Sequence, residues 1–436
     1  MIVGAGIAGL AAAAALAPVC GRVVVIERDE LPAGAASRRG VPQSDQLHNI
    51  LSRGLRHLEE LLPGFREAIV AAGGVESRVG SQTHLYDVGH RLPTRDVGLT
   101  ILSAWRPAIE HVARTLLYER ENVELRAGLR AEHLLVGEHG EVIGVSTAGP
   151  DGGAVLLADL VVDASGVQAL AVRSFGDEVP EERATFNRWY ASTPFSRHGG
   201  DGFWMVFPTA PGTRGGLISP AGHDEWHVSV SGSFDDQPPT DGAAVLEYAA
   251  SLEDPMIIER LDGCTALGPT HLFRRPTATR YRFDQMDRPA PGFVAVGDSA
   301  MSLNPLLGMG IASAAWQAAV LRDAASAIGP DGLRGLPHEY VPAASAITAQ
   351  AWDLSLLQAH PLVTAVAQVS TATTERIRAA VVALIWDDID VQRLDSEVWH
   401  LLAPHTAMTT PAMVGKVLER LEASEDQDRG AVTTER

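Results

Sequence analysis

The chain of 436 residues has a formal net charge of −19 and an apolar content of 46%, enough for two domains around a large core. With no basic stripe, that charge argues against nucleic acid and against anionic membrane surfaces, and no apolar run is long enough to span a bilayer. Cys20 and Cys264 are the only cysteines; they stand in no metal-binding or redox spacing, so no metal site is expected and both read as reduced thiols in a cytoplasm. No signal peptide is expected, because the chain opens directly on an apolar strand.

That strand, Met1-Ile2-Val3, runs into Gly4-Ala5-Gly6-Ile7-Ala8-Gly9 and an alanine-rich helix to Leu16. Glycines at such a strand-to-helix turn have separate tasks: Gly4 permits the tight turn, Gly6 lets backbone approach a pyrophosphate, and Gly9 lets helix and strand pack closely. The helix N-terminus offers unpaired N–H groups and partial positive charge to phosphates. A second strand, Arg22 to Ile26, ends on Glu27, at about the spacing of a ribose-hydroxyl acceptor, and its carboxylate would repel a 2′-phosphate, so NADP is not expected here. Three residues before Gly4 make a short first strand; either chain continues upstream or the strand is simply short.

Residues 31–55 read as a Gly/Arg/Pro-rich connection leading into a helix from about Leu47 to Leu62. Strands and turns are expected from Gly73 to Thr94, then an amphipathic helix from Arg106 to about Arg120. Three short strands from Val123 to Val145, around Gly128 and the Glu138-His139-Gly140 turn, read as a β-meander. Ala158 to Gly166 is a buried parallel strand ending in a small-residue turn. From about 176 to 290 the pattern turns aromatic and alternating, as in Phe203-Trp204-Met205-Val206-Phe207 and Trp226-His227-Val228-Ser229-Val230, which predicts a mostly antiparallel sheet covering a substrate. Phe293 to Val296 returns as a last buried strand, followed by Gly297-Asp298-Ser299-Ala300. Helices fill the chain to about Leu421, and the polar tail from Ser424 is expected to fray.

The first glycine block alone suits a nicotinamide enzyme. A second block, Gly297-Asp298, in this order points to FAD, whose pyrophosphate and ribityl-flavin lie at opposite ends of an extended molecule.

A family resemblance extends this. The segments Arg38-Arg39-Gly40-Val41-Pro42-Gln43 with His48, Leu61-Leu62-Pro63-Gly64, Val161-Val162-Asp163-Ala164-Ser165-Gly166, Gly297-Asp298-Ser299-Ala300 and Asn304-Pro305-Leu306-Leu307-Gly308-Met309-Gly310 occur in the order found in actinobacterial group A flavin monooxygenases. The chain resembles these over nearly its whole length, and in pattern the polyether-type polyketide epoxidases and the FAD-containing [4+2] cyclases on the same scaffold. The resemblance implies an α/β fold: an FAD-binding Rossmann-like domain of the glutathione-reductase-2 type with a β-meander (1–175), an antiparallel-sheet substrate domain (176–290), a return segment of the FAD domain (291–330), a helical region (331–423) and a polar tail (424–436).

It also implies roles. Asp298 would bind the ribityl chain or adjacent phosphate, Arg106 the phosphates, and the turn of Pro305, Gly308 and Gly310 would open a helix onto the flavin pyrimidine edge, where its N-terminus stabilises an anionic reduced flavin. The expected cofactor set is Gly4, Gly6, Ile7, Ala8, Gly9, Glu27, Arg28, Arg39, Arg106, Asp298, Pro305, Gly308, Met309 and Gly310. His48, Trp204, Phe207 and Trp226 are the candidate substrate-pocket residues, although strand aromatics are also ordinary core. No catalytic side chain is singled out, since the hard chemistry belongs to the cofactor.

The chain departs from the family where chemistry would be assisted. A cation near the cofactor becomes Asp45; an Arg-Gly-Ser becomes Val167-Gln168-Ala169; polar residues of the flavin-side turn become Leu307 and Met309. Two functions stay open. One is a monooxygenase that epoxidises or hydroxylates a lipophilic polyketide-like molecule through a flavin C4a-hydroperoxide, with NAD(P)H as transient reductant. The other is a cyclase for a [4+2] cycloaddition of a polyene, with flavin in a structural role.

Overall fold

The computed structural model describes residues 1–434 apart from Leu47, Asp151, Gly199, Asp201, residues 209–212, His223, Gln358 and Ala359; the side chains of 425–434 lie outside it. The chain opens with β1 (Ile2–Val3), α1 (Ile7–Leu16) and β2 (Val23–Ile26). There follow β3 (Asn49–Ile50), α2 (Ser52–Leu61), α3 (Phe65–Ala71), β4 (Val75–Arg78), β5 (Thr83–Asp87), β6 (His90–Arg91) and β7 (Thr100–Ser103). Next come α4 (Arg106–Tyr118), β8 (Val123–Arg126), β9 (Arg130–Val136), β10 (Val142–Ala148), β11 (Ala154–Leu157), β12 (Val161–Asp163) and α5 (Leu170–Phe175). The middle of the chain holds β13 (Glu181–Ser196), β14 (Phe203–Val206), β15 (Gly215–Ala221), β16 (Glu225–Ser233), α6 (Gly242–Ala250), α7 (Met256–Arg260) and β17 (His271–Tyr281). After β18 (Phe293–Ala295) and β19 (Met301–Ser302) the chain is helical: α8 (Gly310–Ile328), α9 (Leu336–Leu356), α10 (Pro361–Ala367), α11 (Thr374–Asp387), α12 (Ile389–Trp399) and α13 (Pro411–Thr434).

Two sheets organise these elements. The first is parallel, in the order β18-β12-β1-β2-β8. Its central strand β1 has only two residues yet is paired on both sides, Ile2 with Val162 and Val25. The second has eight strands in the order β19-β17-β13-β16-β15-β14-β5-β6, antiparallel except where β14 meets β5. It draws strands β5 and β6 from before residue 100 and β19 from after residue 300. A register shift between Thr185 and Arg188 bends the long β13, with Asn187 at φ 45°.

Several boundaries differ from those read in the sequence. The helix expected from Leu47 begins at Ser52, because Asn49 and Ile50 pair with Ser103 and Leu102 of β7 and Leu51 remains extended; Leu47 itself lies outside the described residues. The β-meander is β9-β10-β11, and β8 instead extends the parallel sheet beside β2, with Gly128 (φ 71°) turning the chain out of it. The last helix continues to Thr434 rather than ending near Ser424.

Packing follows from side-chain size. Nearly every residue of α1 is buried although the helix has no strong apolar stripe, as expected of a helix covered on all sides. Its alanines let α8 and α4 approach, and Gly54 of α2 is equally obligatory, because a Cβ there would lie 2.8 Å from Ala312 Cα. One face of the eight-stranded sheet packs on α6 and α7 through Trp226, Val228, Val230, Val245, Tyr248 and Ile257. On its other face Phe203 and Met205 join a core shared with Trp352, Leu354, Val381 and Leu384 of the C-terminal helices. Among the described residues, no helix is long and apolar enough to cross a membrane and no metal-binding group of side chains occurs.

Candidate functional site

A cavity of about 500 Å³ runs from the β1–α1 turn, under the eight-stranded sheet, to α12. At its first end Gly6 is extended, α1 has no side-chain cap and its first turn carries no acidic residue, so the helix presents free N–H groups. Gly4 has φ +105°, and a Cβ there would lie 2.4 Å from Ala164 O; a Cβ on Gly9 would lie 1.9 Å from Gly4 O. A Cβ on Gly6 would meet only an Arg38 nitrogen, at 3.9 Å. The space it leaves opens on the cavity, which Gly4, Gly6, Ile7 and Ala8 line and Gly9 does not; Gly9 holds the helix against the turn.

Behind this cradle lies a buried ion network. Arg38 reaches Glu27 and Glu110, each at 3.0 Å, and Asp29 at 3.5 Å, while Arg106 Nε donates to Glu110 at 3.0 Å. Glu27 Oε2 also accepts from the Ala5 N–H at 2.7 Å and Oε1 from the Asp29 N–H at 3.1 Å. The expected ribose acceptor therefore faces the cavity with both oxygens already engaged. Arg28 lines the cavity and reaches Gly40 O. The expectation for Arg39 is corrected: Arg39 is exposed and off the cavity, and it is Arg38, pulled inward by three carboxylates, that lines it.

The second end is built by the Gly297–Ser299 turn and the start of α8. Gly297 N–H donates to Gln317 Oε1, and Ser299 Oγ donates to Val296 O. Asp298 is thus held at the cavity wall, its carboxyl 4.0 Å from Arg275. Loss of hydration pushes its pKa upward, opposed by Arg275 and Arg106. The side chain is 39% accessible, and it lines the cavity rather than the outer surface. Asn304 Oδ1 accepts from the Leu306 N–H and from the Tyr190 hydroxyl at 2.9 Å, tying the turn to the sheet. Pro305, Gly308 and Gly310 line the cavity, Gly308 has φ 63°, and α8 begins without a side-chain cap. Met309 does not line it: it is fully buried in the core, and Leu306 and Leu307 face the chamber instead.

The rest of the wall is the sheet. Phe203, Met205 and Phe207 line the cavity, and alternation therefore sends Trp204 to the opposite face. Trp226 is fully buried there, edge-on to Trp204 with ring centroids 5.5 Å apart. Neither tryptophan lines the cavity, which corrects that expectation for both; Phe207 does, stacked on Trp399.

His48 also lines it. Its Nδ1 donates to Gln46 O at 2.8 Å, since a carbonyl can only accept, leaving the Nε2 lone pair free. Burial, then the Arg106 charge, push its pKa down to about 3, so the ring is neutral at ordinary pH. Val167 and Gln168 line the cavity beside the cradle. Asp45 accepts from Ser37 Oγ at 2.7 Å instead of facing the cavity.

The structure adds residues that the sequence did not reveal: Tyr190, Phe273 and Arg275 on β13 and β17, Asp87 at the end of β5, and Gln392, Asp395, Ser396, Trp399 and His400 on or just after α12. Strand alternation gave a signal for the first three. Nothing local marks the α12 residues, which reach the site through tertiary packing.

The arrangement fits an extended flavin dinucleotide: an open cradle at Gly6, arginines beside it, a carboxylate at Asp298 and a second uncapped helix N-terminus at α8. The first 175 residues match the model of the FAD dependent oxidoreductase family. Protein Rv3254 of Mycobacterium tuberculosis (strain ATCC 25618 / H37Rv) is 28% identical over 361 residues, 75% of this chain and 73% of that protein. Among solved structures, the flavin-dependent brominase Bmp2 superposes with a TM-score of 0.68 at 12% identity over 98% of both chains. The tetrameric form of 2-methyl-3-hydroxypyridine-5-carboxylic acid oxygenase gives 0.62 at 20% identity over 81% of this chain and 88% of that one. PqsL, a probable FAD-dependent monooxygenase from Pseudomonas aeruginosa, gives 0.61 at 18% identity over 91% and 98%. The chain shares the fold of these flavin enzymes, and its first 175 residues match the FAD dependent oxidoreductase model.

Proposed function

We propose that the protein is an FAD-dependent monooxygenase that epoxidises or hydroxylates a lipophilic, polyketide-like small molecule, with NADH or NADPH as transient reductant. The observation that carries this reading is that two uncapped helix N-termini, of α1 and α8, open on one cavity whose remaining wall is a largely apolar sheet face. Free amides of Ile7 and Ala8, with Arg38 and Arg106 behind them, would hold the pyrophosphate. Asp298 would take the ribityl hydroxyls. The α8 N-terminus would stabilise negative charge at the pyrimidine edge by up to about 2 kcal/mol in a partly buried setting.

Bound flavin would supply the electrons and the activated oxygen. The protein's own contribution is exclusion of water by Phe203, Met205, Phe207 and Leu217, and a fixed acceptor at His48 Nε2. The second reading, a [4+2] cyclase with structural flavin, is favoured by Leu306 and Leu307, which give the flavin-side turn an apolar face. Restraint of a polyene in an apolar chamber lowers its barrier without an acid or base.

An anaerobic titration of the FAD-loaded protein with NADH and NADPH, with dithionite as control, separates the two. Bleaching by a nicotinamide supports the monooxygenase. Bleaching by dithionite alone, with a substrate-like polyene present, moves the cyclase ahead.

A further inference from the structure

The cavity's two ends differ in charge. Arg275 stands on β17 and Asp87 on β5, five strand steps apart in the sheet, which is roughly 24 Å at the usual strand spacing. The cofactor end carries Arg28, Arg38, Arg106 and Arg275 beside Glu27 and Asp298; the other end carries Asp87 and Asp395 and no lining arginine. Asp395 is 5% exposed, and its Oδ1 accepts from His360 Nε2 at 2.8 Å. The Leu362 N–H donates to His360 Nδ1, so the Asp395 bond is made by the proton on Nε2. Burial lowers the His360 pKa, but Asp395 and Asp87 outweigh it and raise it, so His360 can balance part of the charge on Asp395 while Asp87 faces no ion-pair partner among the described residues.

Asp87 Oδ1 accepts from the Val88 N–H, and among the described residues Asp87 has no ion-pair partner. The nearby cations are off the cavity: Arg95 is bound to Gln392 Oε1, and Arg378 does not line it.

His400 supplies an independent pointer. It is 6% exposed and lines the cavity. Its Nδ1 lies 3.1 Å from the Ser52 N and 2.8 Å from Ser52 Oγ, whose own proton goes to Thr100 O, and its Nε2 has no hydrogen-bond partner among the described residues. A nine-tenths-buried imidazole with an unpaired ring nitrogen therefore stands at the same end as two carboxylates and the Ser396 hydroxyl.

We propose that this end of the cavity recognises a protonated amine with a hydroxyl beside it, carried at the far end of an elongated apolar substrate. Asp87 and Asp395 take the ammonium, and His400 Nε2 takes the neighbouring hydroxyl. Two carboxylates, Asp395 buried and Asp87 partly buried, favour a cationic head over a neutral one and disfavour an anionic one. The proposal rests on the functional reading above only in treating the cavity as a substrate chamber; it assumes nothing about redox chemistry.

Calorimetric titration of the FAD-loaded full chain with 2-amino-1-dodecanol, 1-dodecanol and dodecanoate, each below its micellar concentration, tests it. The amino alcohol is expected to bind at least tenfold more tightly than dodecanol, and dodecanoate most weakly. Asp87→Asn and Asp395→Asn, whose amide oxygens can still accept from Val88 and His360, should each remove the preference at unchanged FAD content and thermal midpoint. Equal affinity for amino alcohol and alcohol, preference for dodecanoate, or a preference that survives in both variants overturns the site. The wild-type ranking decides the sign even if a variant does not fold. An amine preference alongside a flavin that no nicotinamide reduces would remove the monooxygenase reading and leave this site standing.

Discussion

Replacing Arg38 with methionine is expected to cost far more than the same change at its neighbour Arg39. Arg38 has a 7% exposed side chain and, among the described residues, is the only side-chain cation on Glu27, which is itself buried; Glu110 retains Arg106. Removing one partner of a buried ion pair leaves an uncompensated charge and costs about 3–5 kcal/mol. For a folding unit of 150–250 residues that lowers the thermal midpoint by roughly 6–20 °C. Arg39 is exposed, and Arg39→Met should stay within about 0.5 kcal/mol. Both variants would be melted with and without added FAD, and bound flavin measured after gel filtration. Arg38→Met should show the lower midpoint and lose FAD, since Arg38 lines the cradle. If Arg39→Met releases FAD while Arg38→Met keeps it and melts normally, the buried network does not organise the site.

The glycines of the cradle should separate by role. Gly6→Ala should fold with a near-native melt but lose FAD, because its Cβ projects into open space, whereas Gly9→Ala, 1.9 Å from Gly4 O, should fail to fold or melt much lower; circular dichroism and flavin content read both. Trp226→Ala should destabilise by about 3–5 kcal/mol as a core deletion. Phe207→Ala should leave the melt nearly unchanged while weakening binding of apolar ligands, measured by calorimetry. Burial depresses His48 to about 3 and His227 and His400 to about 4. These rings are neutral when folded but protonate near pH 6.5 when unfolded. Their contribution is fully present above that pH and is lost as the pH falls toward 4, by up to about 1.4 kcal/mol per pH unit for each ring. Melts from pH 7.5 to 5 should fall accordingly, and replacing all three rings by glutamine should cut the protons taken up on unfolding at pH 5.5 by close to three, measured by calorimetry in buffers of different ionisation heat.

What could be read without the structure was what is local. Gly4, Gly6 and Gly9 answer to steric demands a few residues away, and β1, α1 and β2 follow directly. Pro305, Gly308 and Gly310 are legible for the same reason. Arg38 and Arg39 are indistinguishable by type, and only the converging carboxylates of β2 and α4 choose between them. Period-two alternation was available for Trp204 and Phe207, since residues 203, 205 and 207 must share a face; large aromatic size drew attention to the wrong parity. Met309 shows the same limit in a turn, where no period applies. The far wall was hidden because Asp87 and Asp395 are 308 positions apart in the chain and come to line one cavity only through the tertiary fold.

The parallel sheet has a consequence for synthesis. Its strands come from residues 2–3, 23–26, 123–126, 161–163 and 293–295, and β18 covers the free edge of β12. At roughly 5–20 residues per second, the first strand emerges from the ribosome about 15–60 s before β18 does. For that interval the nascent parallel sheet has an apolar strand edge still waiting for its partner. It also means that a fragment ending at residue 175 would carry the whole glycine cradle and still lack the strand that closes the sheet.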